Sequence, residues 1–371
     1  MGVEDILSRD GPRKLLALDG GGTRGAIAIE VLASLERVLQ RALGRGDDFV
    51  LAEYFDYVAG TSTGAILATA VAHGLRVDRI RAFFHDNVTQ MFTPARRRDR
   101  LRHRYSGAAL SAILAQEIGP ETPLGTDRLR TLLLLVLHNA TTDSPWLVTN
   151  NPRAMFNQPD LPDSNLRLPL WQLVRASTAA PTYFPPETIA VGGQRFVFVD
   201  GSVAGYNNPA FQLFLMATVE PYNLGWPTGE DRLLLVSVGS GGIPRANARL
   251  RPSRMHLLYS ATSVPNRLIT STSAEQDFLC RVFGACRAGD PLDEEVGDLI
   301  GRGGPATPKL FTYLRYNPTL TRAGLDRLGL RHLRPADVQG LAAVDRLAEF
   351  RAIGEAVGRT VRPDHLGGFL V

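Results

Sequence analysis

Phe55-Asp56-Tyr57-Val58-Ala59-Gly60-Thr61-Ser62-Thr63-Gly64-Ala65-Ile66-Leu67 sets three elements of structure end to end. Phe55 to Ala59 reads as a short buried strand, Gly60 to Gly64 as a tight turn, and Ala65 to Ala72 as a helix of small residues that His73 and Gly74 bring to an end. The spacing Gly60-x-Ser62-x-Gly64 is that of a nucleophile elbow. Such a turn forces its serine into a strained conformation that exposes the hydroxyl, and the flanking glycines remove side chains that would collide with strand and helix. The helix N-terminus beneath Ser62 also favours negative charge developing beside it.

The same grammar occurs once more upstream. Lys14 to Leu18 reads as a strand, Asp19-Gly20-Gly21-Gly22-Thr23-Arg24-Gly25 as a glycine loop, and Ala28, Val31, Leu32, Leu35, Val38, Leu39 and Ala42 as one face of a helix ending near Gly44. A serine acyl transferase needs rigid backbone donors for a tetrahedral oxyanion, and Gly20, Gly21 and Gly22 fit that need. Arg24 in the first turn opposes the helix dipole and is expected to be solvated or ion-paired. Gly20-x-Gly22-x-x-Gly25 also satisfies a dinucleotide-binding fingerprint. That alternative wants an acid at the end of the next strand; Asp47 and Asp48 lie at about the right distance, but no convincing strand ends there, and it leaves the serine elbow unexplained.

Further strands are expected at Thr131 to Leu137, Trp146 to Thr149, Arg195 to Val199 and Arg232 to Val238. Strands alternating with helices predict an α/β domain on a largely parallel sheet. From Thr319 to Gly358 the apolar spacing of Leu341, Val344, Leu347, Phe350, Ile353 and Val357 predicts a C-terminal helical cap, within a helical region expected at about 250–371. With 44% hydrophobic and 21% charged residues, the 371-residue chain is neither disordered nor fibrous.

The longest apolar run, Leu132 to Leu137, falls far below the roughly 18 residues of a membrane span. Met1-Gly2-Val3-Glu4-Asp5 is too acidic for a secretory leader, and Ile6 breaks the myristoylation pattern. The expectation is therefore a cytoplasmic protein with peripheral membrane contact at most. Cys280 and Cys286 are too few for a tetrahedral zinc site and are expected as buried thiols. A net charge of +4 does not imply nucleic-acid binding, but Arg96, Arg97, Arg98, Arg100, Arg102 and Arg104 face only Asp99 within one short segment. That cluster is a candidate for docking on anionic lipid, with a solvated surface as its plainer explanation.

A serine nucleophile needs a base, commonly histidine. Among the seven histidines, His256, His332 and His365 could each complete a Ser-Asp-His order, although none sits in a recognisable motif. Asp200 instead ends a predicted strand and is followed at once by Gly201, where a carboxylate can face a cleft.

Taken in order, Asp19 to Gly25, Gly60 to Gly64, Ala176-Ser177-Thr178-Ala179-Ala180-Pro181-Thr182-Tyr183-Phe184-Pro185, and Asp200-Gly201 with Asn207-Asn208-Pro209 resemble the patatin-like phospholipases, and Leu234 to Gly242 resembles their later strand and glycine turn. The likeness implies a three-layer α/β/α fold on a largely parallel sheet, occupying the whole chain as a single domain with core motifs at about 14–240. It further implies a metal-free and cofactor-free lipid acyl hydrolase in which Ser62 is the nucleophile, Asp200 the base and Gly20 to Gly22 the oxyanion hole. Gly60, Gly64, Arg24, Gly25 and Gly201 are implied as supporting motif positions. Ser202 departs from the glycine or alanine usual after the Asp-Gly pair, and the spacing to Asn207 is slightly long. The alternatives carried forward are a Ser-His-Asp esterase and a nucleotide-binding module.

Overall fold

A computed structural model describes residues 2–158, 160–243 and 257–370, with side chains in the longest helix described from Leu268 onward. Among the described residues nine strands form one sheet: β1 Arg13–Leu18, β2 Tyr57–Thr61, β3 Leu132–Asn139, β4 Ser144–Thr149, β5 Glu187–Val191, β6 Gln194–Asp200, β7 Leu233–Val238, β8 Ala285–Ala288 and β9 Thr312–Tyr316. Their order is β5-β6-β3-β2-β1-β7-β9-β8, with β4 also pairing β3. The run from β3 through β2, β1, β7 and β9 to β8 is parallel, whereas β4, β5 and β6 pair antiparallel at one side. The helices are α1 Val3–Ser8, α2 Gly25–Ala42, α3 Thr63–Ala72, α4 Val77–Met91, α5 Gly107–Ile118, α6 Leu170–Ser177, α7 Ala210–Thr218, α8 Leu257–Phe283, α9 Arg322–Arg327, α10 Leu347–Gly358 and α11 Pro363–Leu366.

Alternation along the strands divides the core into two layers. Leu16 and Leu18 of β1 and Leu133, Leu135 and Leu137 of β3 pack beneath α2 to α6 and α10. Leu15, Ala17, Leu132 and Leu134 point the other way, against α1 and α7 and the buried Cys280 of α8. Strands covered on both faces need apolar residues at every position, which is why they read as unbroken Leu and Val runs. Each fully buried leucine contributes roughly 2 kcal/mol of transfer free energy. Cys280 and Cys286 are buried and unbridged.

The C-terminal third differs from its expectation. It is helical in α8 to α11, yet β8 and β9 extend the sheet at its far edge. Thr312, Tyr313 and Arg315 are buried in β9, so this strand lacks the apolar run that marks β1 or β7. Leu341 falls in a turn, Val344 opens a short 3-10 helix ending at Arg346, and α10 begins only at Leu347. α10 lies on α2 at close range, where a β-carbon on Gly354 would meet the Ile27 carbonyl at 2.5 Å. Parallel strands β1 and β2 place Leu18 and Gly60 side by side near their carboxyl ends, the edge at which open α/β sheets bind ligands.

Candidate active site

Ser62 links β2 to α3 with φ 56° and ψ −126°. A non-glycine residue at positive φ costs on the order of 1–3 kcal/mol and persists only where its surroundings hold it. Here the hold is explicit. The Ser62 N–H donates to the Ser177 hydroxyl oxygen at 2.9 Å, and that hydroxyl donates to the Val136 carbonyl at 2.7 Å. A β-carbon on Gly60 would strike the Gly64 carbonyl, and one on Gly64 the Leu18 carbonyl. Ser62 remains half-buried at the head of α3.

The glycine loop after β1 lies against this turn, since a β-carbon on Gly20 would sit 3.0 Å from that of Ser62. Its amides are not equivalent. Gly20 N–H donates to the Asn207 carbonyl at 3.1 Å, and the Gly20 carbonyl accepts from the Ser240 hydroxyl at 2.6 Å. Among the described residues neither the Gly21 nor the Gly22 N–H has a backbone acceptor. Of the three amides expected as oxyanion donors, that of Gly20 is thus already engaged inside the fold. Thr23 N–H bonds the Leu341 carbonyl at 2.9 Å, and Gly25 packs against the Thr63 side chain. Arg24 is buried, not solvated, and donates to the Gly241 carbonyl at 3.0 Å.

Asp19, which opens the loop, is held by Arg315 of β9 through two hydrogen bonds of 2.8 and 2.6 Å. Arg315 also donates to Ser237 at 2.7 Å and lies 3.9 Å from Asp277, itself paired twice with Arg281 and bonded by the Tyr313 hydroxyl at 3.0 Å. Burial pushes the Asp19 carboxyl up and the facing guanidinium pulls it down. Arg315 is raised above its ordinary range because the same pairing outweighs its own burial.

Asp200 ends β6 opposite Leu137 of β3, and its N–H donates to the Ala179 carbonyl at 3.1 Å. The side chain is 1% exposed. Oδ1 accepts the Ser202 N–H at 2.8 Å, whereas Oδ2 has no hydrogen-bond partner. Burial raises the carboxyl pKa; the Ser62 hydroxyl is near enough to oppose this, as are Ser202 and Arg175. Ser62 thus approaches Asp200 without completing a well-formed bond to Oδ2. Arg175 is itself buried, donates to the Pro185 carbonyl at 3.0 Å and lies 5.6 Å from the centre of the Phe184 ring. Gly201 is pressed against the Val136 carbonyl, which the Ser177 hydroxyl also engages.

The other candidates lie elsewhere. His256 is outside the described residues, and His332 is exposed. His365 Nδ1 meets the Tyr316 hydroxyl at 2.9 Å on β9, three strands and about 14 Å from β2 by strand spacing. Asp47 and Asp48 are exposed in the turn before β2, not at a strand end. Arg96, Arg97, Arg98, Arg100, Arg102 and Arg104 are all exposed on the loop between α4 and α5. Sequence reasoning passed over Arg175 and the role of Ser177, although both lie in or beside the quoted Ala176 to Pro185 motif. Ser240 lies within the quoted Leu234 to Gly242 turn without its role being marked, and no local signal marked Asp277 or Arg315.

Several known proteins are similar to this chain. A cGAMP-activated phospholipase of Escherichia coli (strain TW11681) is 31% identical over 248 residues, 65% of each protein. Patatin-17 of Solanum cardiophyllum is 31% identical over 220 residues, covering 55% of this chain and 53% of that protein. The chain thus spans between about half and two thirds of the length of these relatives. Among solved structures, human GIVD cytosolic phospholipase A2 aligns with a TM-score of 0.50 at 12% identity, over 99% of this chain and 62% of that one, a likeness of fold. Residues 16–214, more than half of the chain, match the model of the patatin-like phospholipases, and it is to this family that the chain belongs.

Proposed function

We propose that the protein is a lipid acyl hydrolase working through a Ser62–Asp200 dyad. The observation that carries this reading is the buried Asp200, whose Oδ2 lacks a partner beside a serine held in a strained, half-exposed turn. An ordinary aspartate, with a pKa of about 3.9, is a poor acceptor for a serine proton. Desolvation corrects that mismatch by raising the proton affinity of Asp200.

In the first half-reaction the Ser62 hydroxyl oxygen attacks the acyl carbonyl carbon as its proton passes to Asp200 Oδ2. The N–H groups of Gly21 and Gly22 receive the oxyanion, helped by the N-terminus of α3. Collapse of the tetrahedral intermediate breaks the ester bond, and the departing alcohol takes the proton from Asp200. Water then gives a proton to Asp200 and attacks the acyl-serine, releasing the fatty acid and restoring the Ser62 hydroxyl. No metal ion is required by this scheme. Pairing of β9 with β7 supports reading residues 1–371 as one patatin-like domain.

A fluorophosphonate probe tests the nucleophile directly. Labelling of wild type, absent in Ser62→Ala and retained in His332→Ala and His365→Ala, is the expected result. Labelling that survives Ser62→Ala would overturn the reading.

A further inference from the structure

The loop between α4 and α5 joins charge, an apolar tip and a rigid base. It is closed by the Pro94–Tyr105 bridge, with Ala95 N–H donating to the Arg104 carbonyl at 2.9 Å and Ser106 N–H to the Thr93 carbonyl at 2.8 Å. Phe92, Tyr105, Tyr183 and Phe184 stack beneath it at ring-centre distances of 5.3 to 6.3 Å. Leu101, at the far end, is 98% exposed between Arg100 and Arg102. Unlike a scattered surface leucine, this one sits in a short segment carrying six exposed arginines opposed by a single aspartate.

The loop is also tied to the catalytic edge. Arg104 and Tyr105 N–H groups donate to the carbonyls of Thr182 and Tyr183, at 3.0 and 2.8 Å, in the segment whose Ala179 carbonyl accepts from Asp200. On the turn after Asp200, Val203 is 47% exposed.

We propose that this loop is a bilayer anchor: the arginines bind the headgroups of anionic phospholipids, Leu101 enters the acyl region, and the fixed base brings the Ser62–Asp200 mouth to the surface. The proposal rests on the hydrolase reading only for its purpose; binding itself is separable from turnover. Guanidinium groups pair with lipid phosphate, and a single exposed leucine among them suits the acyl region just beneath those headgroups. The aromatic rings that could stack on bases are instead packed into the loop's base.

The test uses Ser62→Ala protein and vesicles of equal parts phosphatidylcholine and phosphatidylglycerol. Arg97→Glu/Arg98→Glu/Arg102→Glu should lower vesicle partitioning by at least about tenfold at low salt. Leu101→Ser should weaken binding at high salt as well, where charge is screened but insertion persists. In the otherwise wild-type protein both changes should leave hydrolysis of a monomeric short-chain ester intact, which also verifies folding. Unchanged partitioning of the triple variant overturns the proposal, as does a loss of duplex-DNA affinity with vesicle binding unaltered. Vesicle binding by a wild type that hydrolyses no ester would support the anchor and defeat the hydrolase reading.

Discussion

Asp19 and Asp200 are both buried aspartates at strand ends, and they are solvated by the protein in opposite ways. Asp19 gives both oxygens to Arg315, which is braced in turn by Ser237. Asp200 keeps one oxygen unpartnered and has a nearby serine, with Arg175 opposing burial only through its charge and not through a paired guanidinium. Burial raises the proton affinity of each, but only at Asp19 does a two-point guanidinium answer it. The difference teaches how one residue type serves two ends: a satisfied carboxylate fixes a loop, while an unsatisfied one is ready to take a proton.

The largest expected effect falls on the catalytic side. Ser62→Ala should reduce kcat for a short-chain ester by roughly 10^4-fold or more, with thermal stability unchanged or improved because positive-φ strain is not deepened. A folded variant with near-normal turnover breaks the comparison outright. Next, Asp200→Asn should cost on the order of 10^4 in kcat without lowering Tm. The sign follows from its raised pKa: stability from protonating Asp200 is present below about pH 4 and is lost as pH rises through the folded-state value. A neutral side chain avoids that loss. An Asp200→Asn protein that unfolds easily would mean the carboxylate is structural after all.

At the other aspartate the expected damage is to the fold. Asp19→Asn leaves the buried Arg315 without its two-point partner and should lower unfolding free energy by about 3–5 kcal/mol in a denaturant titration. Equal stability of this variant and wild type would erase the distinction. A smaller effect belongs to pH. The acid limb of kcat/KM should fall above the ordinary carboxylate value of about 3.9, since Asp200 must be ionised to accept the serine proton. An acid limb at or below that value would contradict a desolvated base. Smallest of all, His365→Ala should lose only the Tyr316 contact, and chelator should leave turnover of a soluble ester unaltered; a large loss in either measurement reassigns the base or the oxyanion partner.

The central strands and the elbow were legible because each is written locally. β1, β3 and β7 are apolar runs covered on both faces, and Gly60-x-Ser62-x-Gly64 states its own backbone conformation. β8 and β9 escaped for the opposite reason. β9 buries Arg315 among apolar residues, and its partner Asp19 lies 296 positions away, so the charge that obscures the strand is explained only by the pairing. The equivalence assumed for Gly20, Gly21 and Gly22 failed similarly, since Asn207 takes one of the three amides from a distant turn.

By itself, the sequence determined the order of the strand-turn-helix units, the two glycine turns and the serine at the elbow, because these depend on local sterics and hydrophobic periodicity; Asp200 as candidate base was implied by the family resemblance. The tertiary structure alone decided which amides stay open, which aspartate receives a cation, and that residues beyond 214 brace the glycine loop. Hydrogen-bond satisfaction and desolvation are set by neighbours in space, and residues distant along the chain supply those neighbours only when the sheet has formed.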